Sequence, residues 1–211
     1  YVANAFLAVK LSYINEIAAL CERVGADVGE VAHGIGLDRR IGRDYLDAGP
    51  GWGGSCLPKD TSALLAVAEE YGDSLLLVTA AREVNQRQRQ RIVEKLQSEL
   101  KVLRGSTIGI LGLAFKEGTG DLRDSPALDI IELLLARGAH LRLHDPAAIP
   151  AARELLQHDD LDFYEDPYAM ATGADALVLV TAWPHYRALD LPRLAQAMRT
   201  PVMVDARNLY D

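Results

Sequence analysis

The stretch Thr107-Ile-Gly-Ile-Leu-Gly-Leu113 is where this chain of 211 residues changes its period. β-Branched and apolar residues follow one another there without the three-to-four spacing of a helix, and two glycines weaken any helical alternative, so a buried strand is expected. Upstream, back to Val2, the pattern is helical almost throughout. Downstream, strand and helix signals alternate to the end of the chain. The expected organisation is an all-helical unit, about 1–102, followed by an α/β unit, about 103–211, with a parallel sheet covered on both faces.

Downstream of Leu113, Ser125-Pro126 opens a helix with a capping residue and then Pro at the first helical position. That helix runs over Ala127 to Arg137 and stops at Gly138. Further strands are expected at His140–His144, Leu161–Tyr164, Ala176–Val180 and Val202–Val204, with helices at Ala148–Gln157, Pro167–Thr172 and Leu191–Met198. In such a Rossmann-like sheet, ligands sit at the carboxyl ends of the strands. Lys116, Arg123 and Arg207 lie in those segments. A phosphate-bearing ligand would account for them, and so would surface ion pairs with Glu117, Asp121, Asp124 and Asp205. Gly109-Ile-Leu-Gly112 is not the Gly-x-Gly-x-x-Gly fingerprint, so the pattern alone does not make this unit a dinucleotide site.

Upstream, Val2 to Val24 is apolar over most of its circumference, which predicts a buried helix ended by Gly25. Asp27-Val-Gly-Glu30 reads as a capping box for a short helix to Gly34 or Gly36. A third helix is expected from Asp60 to Tyr71, closed by Gly72, and a long fourth from about Ser74 to Lys101. The polar and basic middle of the fourth, Asn85 to Arg91, reads as a solvated face.

Between the second and third helices stands Gly49-Pro-Gly-Trp-Gly-Gly-Ser-Cys-Leu-Pro-Lys-Asp60. Four glycines and two prolines force an irregular backbone that a ligand can approach closely. Into it the sequence sets a thiol (Cys56), an ammonium (Lys59) and a carboxylate (Asp60). A thiol attacks as thiolate, and both a nearby lysine and the N-terminus of a following helix favour that form. Two readings stand for Cys56, a nucleophile and a small buried hydrophobe. Asp60 reads on position alone as the N-cap of the third helix.

The net charge of −8 argues against nucleic acid or an anionic membrane as partner. No apolar run has the length of a membrane span and no signal-peptide pattern opens the chain. Cys21 and Cys56 occupy unrelated contexts, so a disulfide framework is not expected and a reducing cytoplasm fits. No spacing of metal ligands is present. The first residue is Tyr1, already inside a helical pattern, which reads as a piece of something longer.

Three segments, in order, carry a family resemblance: Asn4-Ala-Phe-Leu-Ala with Asn15-Glu16; Gly51-x-Gly-Gly-Ser-Cys-Leu-Pro-Lys-Asp60; and Gly109-x-Leu-Gly-Leu-Ala-Phe-Lys116 with Gly118-Thr-Gly-Asp-Leu-Arg-Asp-Ser125. The chain resembles the UDP-glucose/GDP-mannose dehydrogenases, and Arg39-Arg-Ile-Gly42 with the Cys loop is most similar to the UDP-glucose members. The resemblance implies a central helical, dimer-forming domain followed by a UDP-binding domain, with the NAD-binding domain and a catalytic lysine lying ahead of Tyr1. It implies oxidation of a nucleotide-sugar C6 alcohol to a carboxylate with two NAD, through a thiohemiacetal and a thioester on Cys56. Asp60 would position or activate water, and Asn4 would donate to the oxygen that develops charge.

By the same resemblance Tyr45, Leu46, Asp47, Ala48, Gly49 and Gly53 would line the sugar nucleotide. For Asp47, where some relatives have lysine, only the backbone is expected to contribute. Phe115, Lys116 and Arg207 would reach the sugar nucleotide from the second unit, and Arg40 from the neighbouring subunit of a homodimer. Lys59 and Arg123 would face the NAD phosphates. The 211 residues by themselves are expected to turn over no substrate. A non-catalytic nucleotide-sugar-binding or dimerisation module is the alternative from another class, and GDP-mannose or a UDP-N-acetylhexosamine is the alternative substrate.

Overall fold

The computed structural model describes residues 1–210, which form two compact units, Tyr1–Gln88 and a second from Arg89 onward. In the first, α1 (Val2–Val24) ends on Gly25 in the left-handed conformation, at φ 71°. Its buried stripe is made of small and polar residues, Ala5, Ala8, Ser12, Asn15, Ala18 and Cys21, with Ile14 beside them. Such a stripe lets another helix approach closely, and α3 (Leu57–Glu70) packs on it. The expectation of a helix buried most of the way round is not met within this unit: Phe6, Leu20 and Val24 are more than half exposed. α2 (Val28–Gly36) is capped by Asp27, whose carboxylate accepts from the N–H groups of Gly29 (2.6 Å) and Glu30 (3.1 Å).

The chain passes between units inside α4 (Leu76–Leu100), earlier than the expected boundary at 102. Ile92, Val93 and Leu96, in the second half of this helix, are buried in the core of the α/β unit. A helix can continue unbroken while its apolar stripe is claimed by a different core, so the helix end and the unit boundary do not coincide.

The second unit holds five parallel strands: β1 (Thr107–Leu111), β2 (His140–His144), β3 (Leu161–Phe163), β4 (Ala176–Leu179) and β5 (Met203–Asp205), in the order β3-β2-β1-β4-β5. β1 pairs Leu111 with His144 on one side and with Leu179 on the other. Helices α5 (Pro126–Leu135), α6 (Ile149–Leu155), α7 (Pro167–Ala171), α8 (Pro184–Arg187) and α9 (Leu191–Ala197) connect the strands. α8 is not foreseen in the sequence, because a single turn is too short to show a period. All four residues of β4 are buried, as in a sheet covered on both faces.

The strand order reverses between β1 and β4, which makes the carboxyl ends of these strands the crevice where doubly wound sheets bind ligands. Gly112, at φ 94°, closes β1 there; a Cβ on it would lie 2.4 Å from Thr181 Cβ and 2.6 Å from Thr181 N. β1 stops two residues short of the expected Leu113. Beyond Leu111 the chain leaves the ladder, and the N–H groups of Leu113 (2.7 Å) and Ala114 (3.0 Å) donate to the carboxylate of Asp145.

Candidate active site

α3 begins at Leu57, three residues earlier than expected, with Pro58 in its first turn and Cys56 as N-cap. Asp60 is therefore not the cap. Its own N–H already donates to the Cys56 carbonyl (2.9 Å), closing the first turn, and its side chain turns inward. Asp60 is 7% exposed, and its Oδ2 accepts from Asn4 Nδ2 on α1 at 2.6 Å. Oδ1 is buried and accepts no hydrogen bond; Lys59 Nζ lies 3.6 Å away, on a side chain that is mostly exposed. Burial of a carboxylate without full pairing is costly, and such groups concentrate where they serve chemistry.

Cys56 is a free, exposed thiol and Cys21 a free, buried one. The two readings of Cys56 thus separate in favour of accessibility. Its Sγ lies at the positive end of α3, with Ser55 Oγ at 3.7 Å. Cys56 and Asp60 are four residues apart at the head of one helix, a spacing that brings side chains to about 6 Å between Cβ atoms. The site in this unit is a thiol, a buried carboxylate one turn on, and an amide that holds the carboxylate.

The loop before Cys56 is gripped from two helices. Gly49 N donates to Asn15 Oδ1 (2.8 Å), and Gly49 O accepts from Gln88 Nε2 (2.9 Å). Trp52 gives its N–H to Asn85 Oδ1 (2.7 Å), accepts from Asn85 Nδ2 at its carbonyl (2.9 Å), and donates its indole N–H to Ser12 Oγ (3.0 Å). The expected solvated face of α4 is thus corrected at its start: Asn85 is 4% exposed and Gln88 faces the loop. A polar residue in a helix looks the same in sequence whether water or a loop backbone satisfies it.

Of the residues expected along the sugar nucleotide, Tyr45 adopts a left-handed φ of 63° with its ring partly exposed. Leu46 and Ala48 are buried against Ile14, Ala18 and Ala32. Asp47 is exposed and paired with Arg43 at 2.5 Å. Gly49 has both main-chain groups engaged, and Gly53 is half-buried. Arg40 is exposed and forked onto Asp38 (Nε at 3.0 and 3.2 Å, Nη2 at 2.6 Å), which holds the Asp38 carboxyl below its ordinary range.

In the α/β unit, Phe115, Lys116 and Arg207 are brought together. Arg207 Nε donates to Val180 O (2.7 Å) and Nη2 to Phe115 O (3.4 Å), while Lys116 Nζ stands 5.5 Å from the centre of the Phe115 ring. Arg123 is forked onto Asp121, which lowers the Asp121 carboxyl. This is the surface-ion-pair alternative for that residue. Lys59 is mostly exposed, and its ion-pair partner is the Asp60 carboxylate.

Asp145, given no role from sequence, organises this edge. Its Oδ2 accepts from Leu113 N, Ala114 N and Trp183 Nε1 (3.1 Å), and its Oδ1 from Ala147 N and Ala148 N (both 2.8 Å). Thr181 Oγ1 adds a hydrogen bond to Ala114 O (2.6 Å), so the segment leading to Phe115 is held on both sides. The signal available in sequence was the position of Asp145, directly after a strand. Beneath it His144 is buried, with Nδ1 at 2.8 Å from Tyr186 Oη and Nε2 at 3.2 Å from Glu165 O. Burial pushes the His144 imidazole below its ordinary pKa and the Tyr186 phenol well above its own.

The UDP-glucose/GDP-mannose dehydrogenase central domain matches residues 1–87, and the UDP-binding domain of the same family matches residues 109–211. This chain belongs to the UDP-glucose/GDP-mannose dehydrogenase family. It is 49% identical over its whole length to UDP-glucose 6-dehydrogenase TuaD of Bacillus subtilis (strain 168) and 48% identical to UDP-glucose 6-dehydrogenase of Rhizobium meliloti (strain 1021). It covers 45% and 48% of those proteins, so the chain spans about half the length of the curated relatives it matches. A solved UDP-glucose dehydrogenase from Pyrobaculum islandicum superposes with a TM-score of 0.91 at 40% identity, over 99% of this chain and 46% of that one. Among the described residues no helix is long and apolar enough to cross a membrane, and no cluster of His, Cys, Asp and Glu could hold a metal ion.

Proposed function

We propose that this chain is the sugar-nucleotide half of a UDP-glucose 6-dehydrogenase, oxidising the C6 alcohol of UDP-glucose to a carboxylate at the expense of two NAD. The observation that carries the reading is the exposed Cys56 thiol at the head of α3 with a buried, Asn4-held carboxylate one turn along. UDP-glucose is favoured over GDP-mannose and UDP-N-acetylhexosamines by the relatives at 49% and 48% identity.

NAD, when bound, supplies the hydride acceptor for both oxidations. After the first, Cys56 Sγ adds to the C6 carbonyl carbon, forming a C–S bond, and the carbonyl oxygen takes a proton to give the thiohemiacetal. Asn4 Nδ2 carries two hydrogens. One goes to Asp60, and the other is available to the C6 oxygen as charge develops on it. Loss of hydride and of the hydroxyl proton from the thiohemiacetal leaves a thioester. Asp60 Oδ1, which accepts no hydrogen bond, takes a proton from the attacking water as the C–S bond breaks and the thiolate departs.

Lys59 contributes positive charge toward a dinucleotide phosphate, with Arg123 in the same role only if it is released from Asp121. In the α/β unit, Phe115, Lys116 and Arg207 are the groups for the sugar nucleotide; in the helical unit, Tyr45, Leu46, Asp47, Ala48, Gly49 and Gly53 are the lining, Asp47 by its backbone. A homodimer through the helical unit covers Phe6, Leu20 and Val24, and Arg40 reaches the neighbouring subunit's ligand. A reducing cytoplasm suits the free thiol.

Iodoacetamide labelling of Cys56, resolved from Cys21 by peptide mass spectrometry, tests this directly. UDP-glucose is expected to slow labelling of Cys56 in a saturable manner, and GDP-mannose to do so more weakly. Labelling that UDP-glucose leaves unchanged, together with no heat of binding, would overturn the proposal.

A further inference from the structure

α4 lays three polar side chains along the loop that bears Cys56. Arg82, Asn85 and Gln88 are spaced three residues apart, so each stands beside the next on one side of the helix. Gln88 holds the Gly49 carbonyl, and Asn85 holds both main-chain groups of Trp52. Arg82 Nη1 donates to Thr61 Oγ1 (3.2 Å) and to Ser62 Oγ, with the Pro58 carbonyl at 3.5 Å. Thr61 Oγ1 in turn donates to the carbonyls of Leu57 (2.8 Å) and Pro58 (3.0 Å). Two members of the ridge therefore grip the chain before Cys56, and the third grips the first two turns of the helix after it.

We infer that the ridge Arg82–Asn85–Gln88 is a positioning device for Cys56, setting where the thiol stands by holding both its flanks. The inference rests on Cys56 being the nucleophile. A segment with glycines at 49, 51, 53 and 54 has a large conformational entropy and does not hold one geometry by itself. The grip is shaped to the backbone: Gly51 sits at φ 109°, where a Cβ would come within 2.5 Å of Asn85 Oδ1. Arg82 has no carboxylate partner among the described residues. Its guanidinium is engaged with the oxygens of α3, an arrangement that a solvated surface arginine has no reason to keep. Cys56, on the exposed side of the loop, inherits its position from contacts made by residues that do not touch it.

The test uses the chain in its Trp183→Phe form, so that Trp52 is its sole tryptophan, with Asn85→Ala, Arg82→Met and Arg82→Lys made in that background. The measured quantity is the iodoacetamide rate at Cys56 in the folded chain divided by the rate in the same chain in urea. The unmodified ridge is expected to give a ratio of about ten, and Arg82→Met to bring it within about twofold of one while the helical circular dichroism is retained. Arg82→Lys, which restores a donor, is expected to recover at least half of the logarithmic loss. Asn85→Ala is expected to shift Trp52 emission to the red, and Arg82→Met is not. If Asn85→Ala does not fold, Arg82→Met decides alone, since its side chain is partly exposed and the hydroxyls it leaves remain bonded to carbonyls.

A ratio that Arg82→Met leaves at the starting value overturns the positioning role while leaving the nucleophile assignment standing, as does a failure of Arg82→Lys to recover any of a loss. A ratio of one before any change to the ridge takes down the nucleophile and the ridge together.

Discussion

Asn4 and Asp60, separated by 56 positions in sequence, meet at 2.6 Å, the Asn4 amide donating to a carboxylate that is 7% exposed. The pair joins the first turn of α1 to the first turn of α3, where those helices pack. Asn4→Ala leaves both Asp60 oxygens without a hydrogen bond in a buried setting. A loss of about 2–3 kcal/mol is expected, more than the net worth of an ordinary hydrogen bond because the remaining partner is charged. Urea unfolding followed by Trp52 fluorescence in a Trp183→Phe background measures it; an unchanged midpoint would mean that the carboxylate finds another donor.

Asn85→Ala removes one hydrogen bond from the N–H and one from the carbonyl of Trp52, a buried residue. A destabilisation of about 2–4 kcal/mol of the helical unit is expected. Gln88→Ala, at a less buried contact with one carbonyl, is expected to cost about 1 kcal/mol. Equal effects from the two would show that burial of the Trp52 main chain is not what makes Asn85 matter.

Glycines of similar backbone conformation separate by what surrounds them. Gly112→Ala combines φ 94° with a Cβ placed 2.4 Å from Thr181 Cβ, and is expected to cost about 3 kcal/mol or more. Gly105→Ala, at φ 75° with nothing within 4 Å, meets only the left-handed penalty of about 1 kcal/mol. Thermal melts of the two variants, run side by side, should differ in this order.

His144 gives the α/β unit a pH dependence of definite sign. Burial depresses its pKa in the folded chain; Asp145 and Asp166 oppose the shift, while His185 adds to it. The unfolded chain therefore takes up the proton first, and stability present above the unfolded value of about 6.5 is lost as pH falls through that value toward the lower folded one. Between pH 7.5 and 5, wild type is expected to lose more melting temperature than His144→Gln. Parallel losses would place the acid sensitivity elsewhere.

Much of this was legible in the residues themselves. The period change at Thr107, the Asp27 cap and the Ser125-Pro126 start are local signals, and each depends on neighbours a few positions away. The same holds for Cys56 near a helix N-terminus. On position alone Asp60 reads as a cap, because Ser, Thr, Asp and Asn cap helices so often and nothing nearby announces Asn4. Asn85 reads as solvated for the same kind of reason: its partner, the Trp52 backbone, is 33 positions away. Asp145 drew no role because the five N–H groups it serves come from three separate segments.

From sequence alone came the order of elements apart from α8, the parallel sheet, and a thiol, an ammonium and a carboxylate on one glycine-rich loop, since these follow from short-range periodicity and backbone chemistry. The tertiary structure decided which polar side chains face inward, where the compact units part along α4, and which oxygen of Asp60 is left without a donor. Those outcomes depend on which segments fold against each other, and hydrogen-bond partners brought together across tens of residues leave no mark on the local pattern of either one.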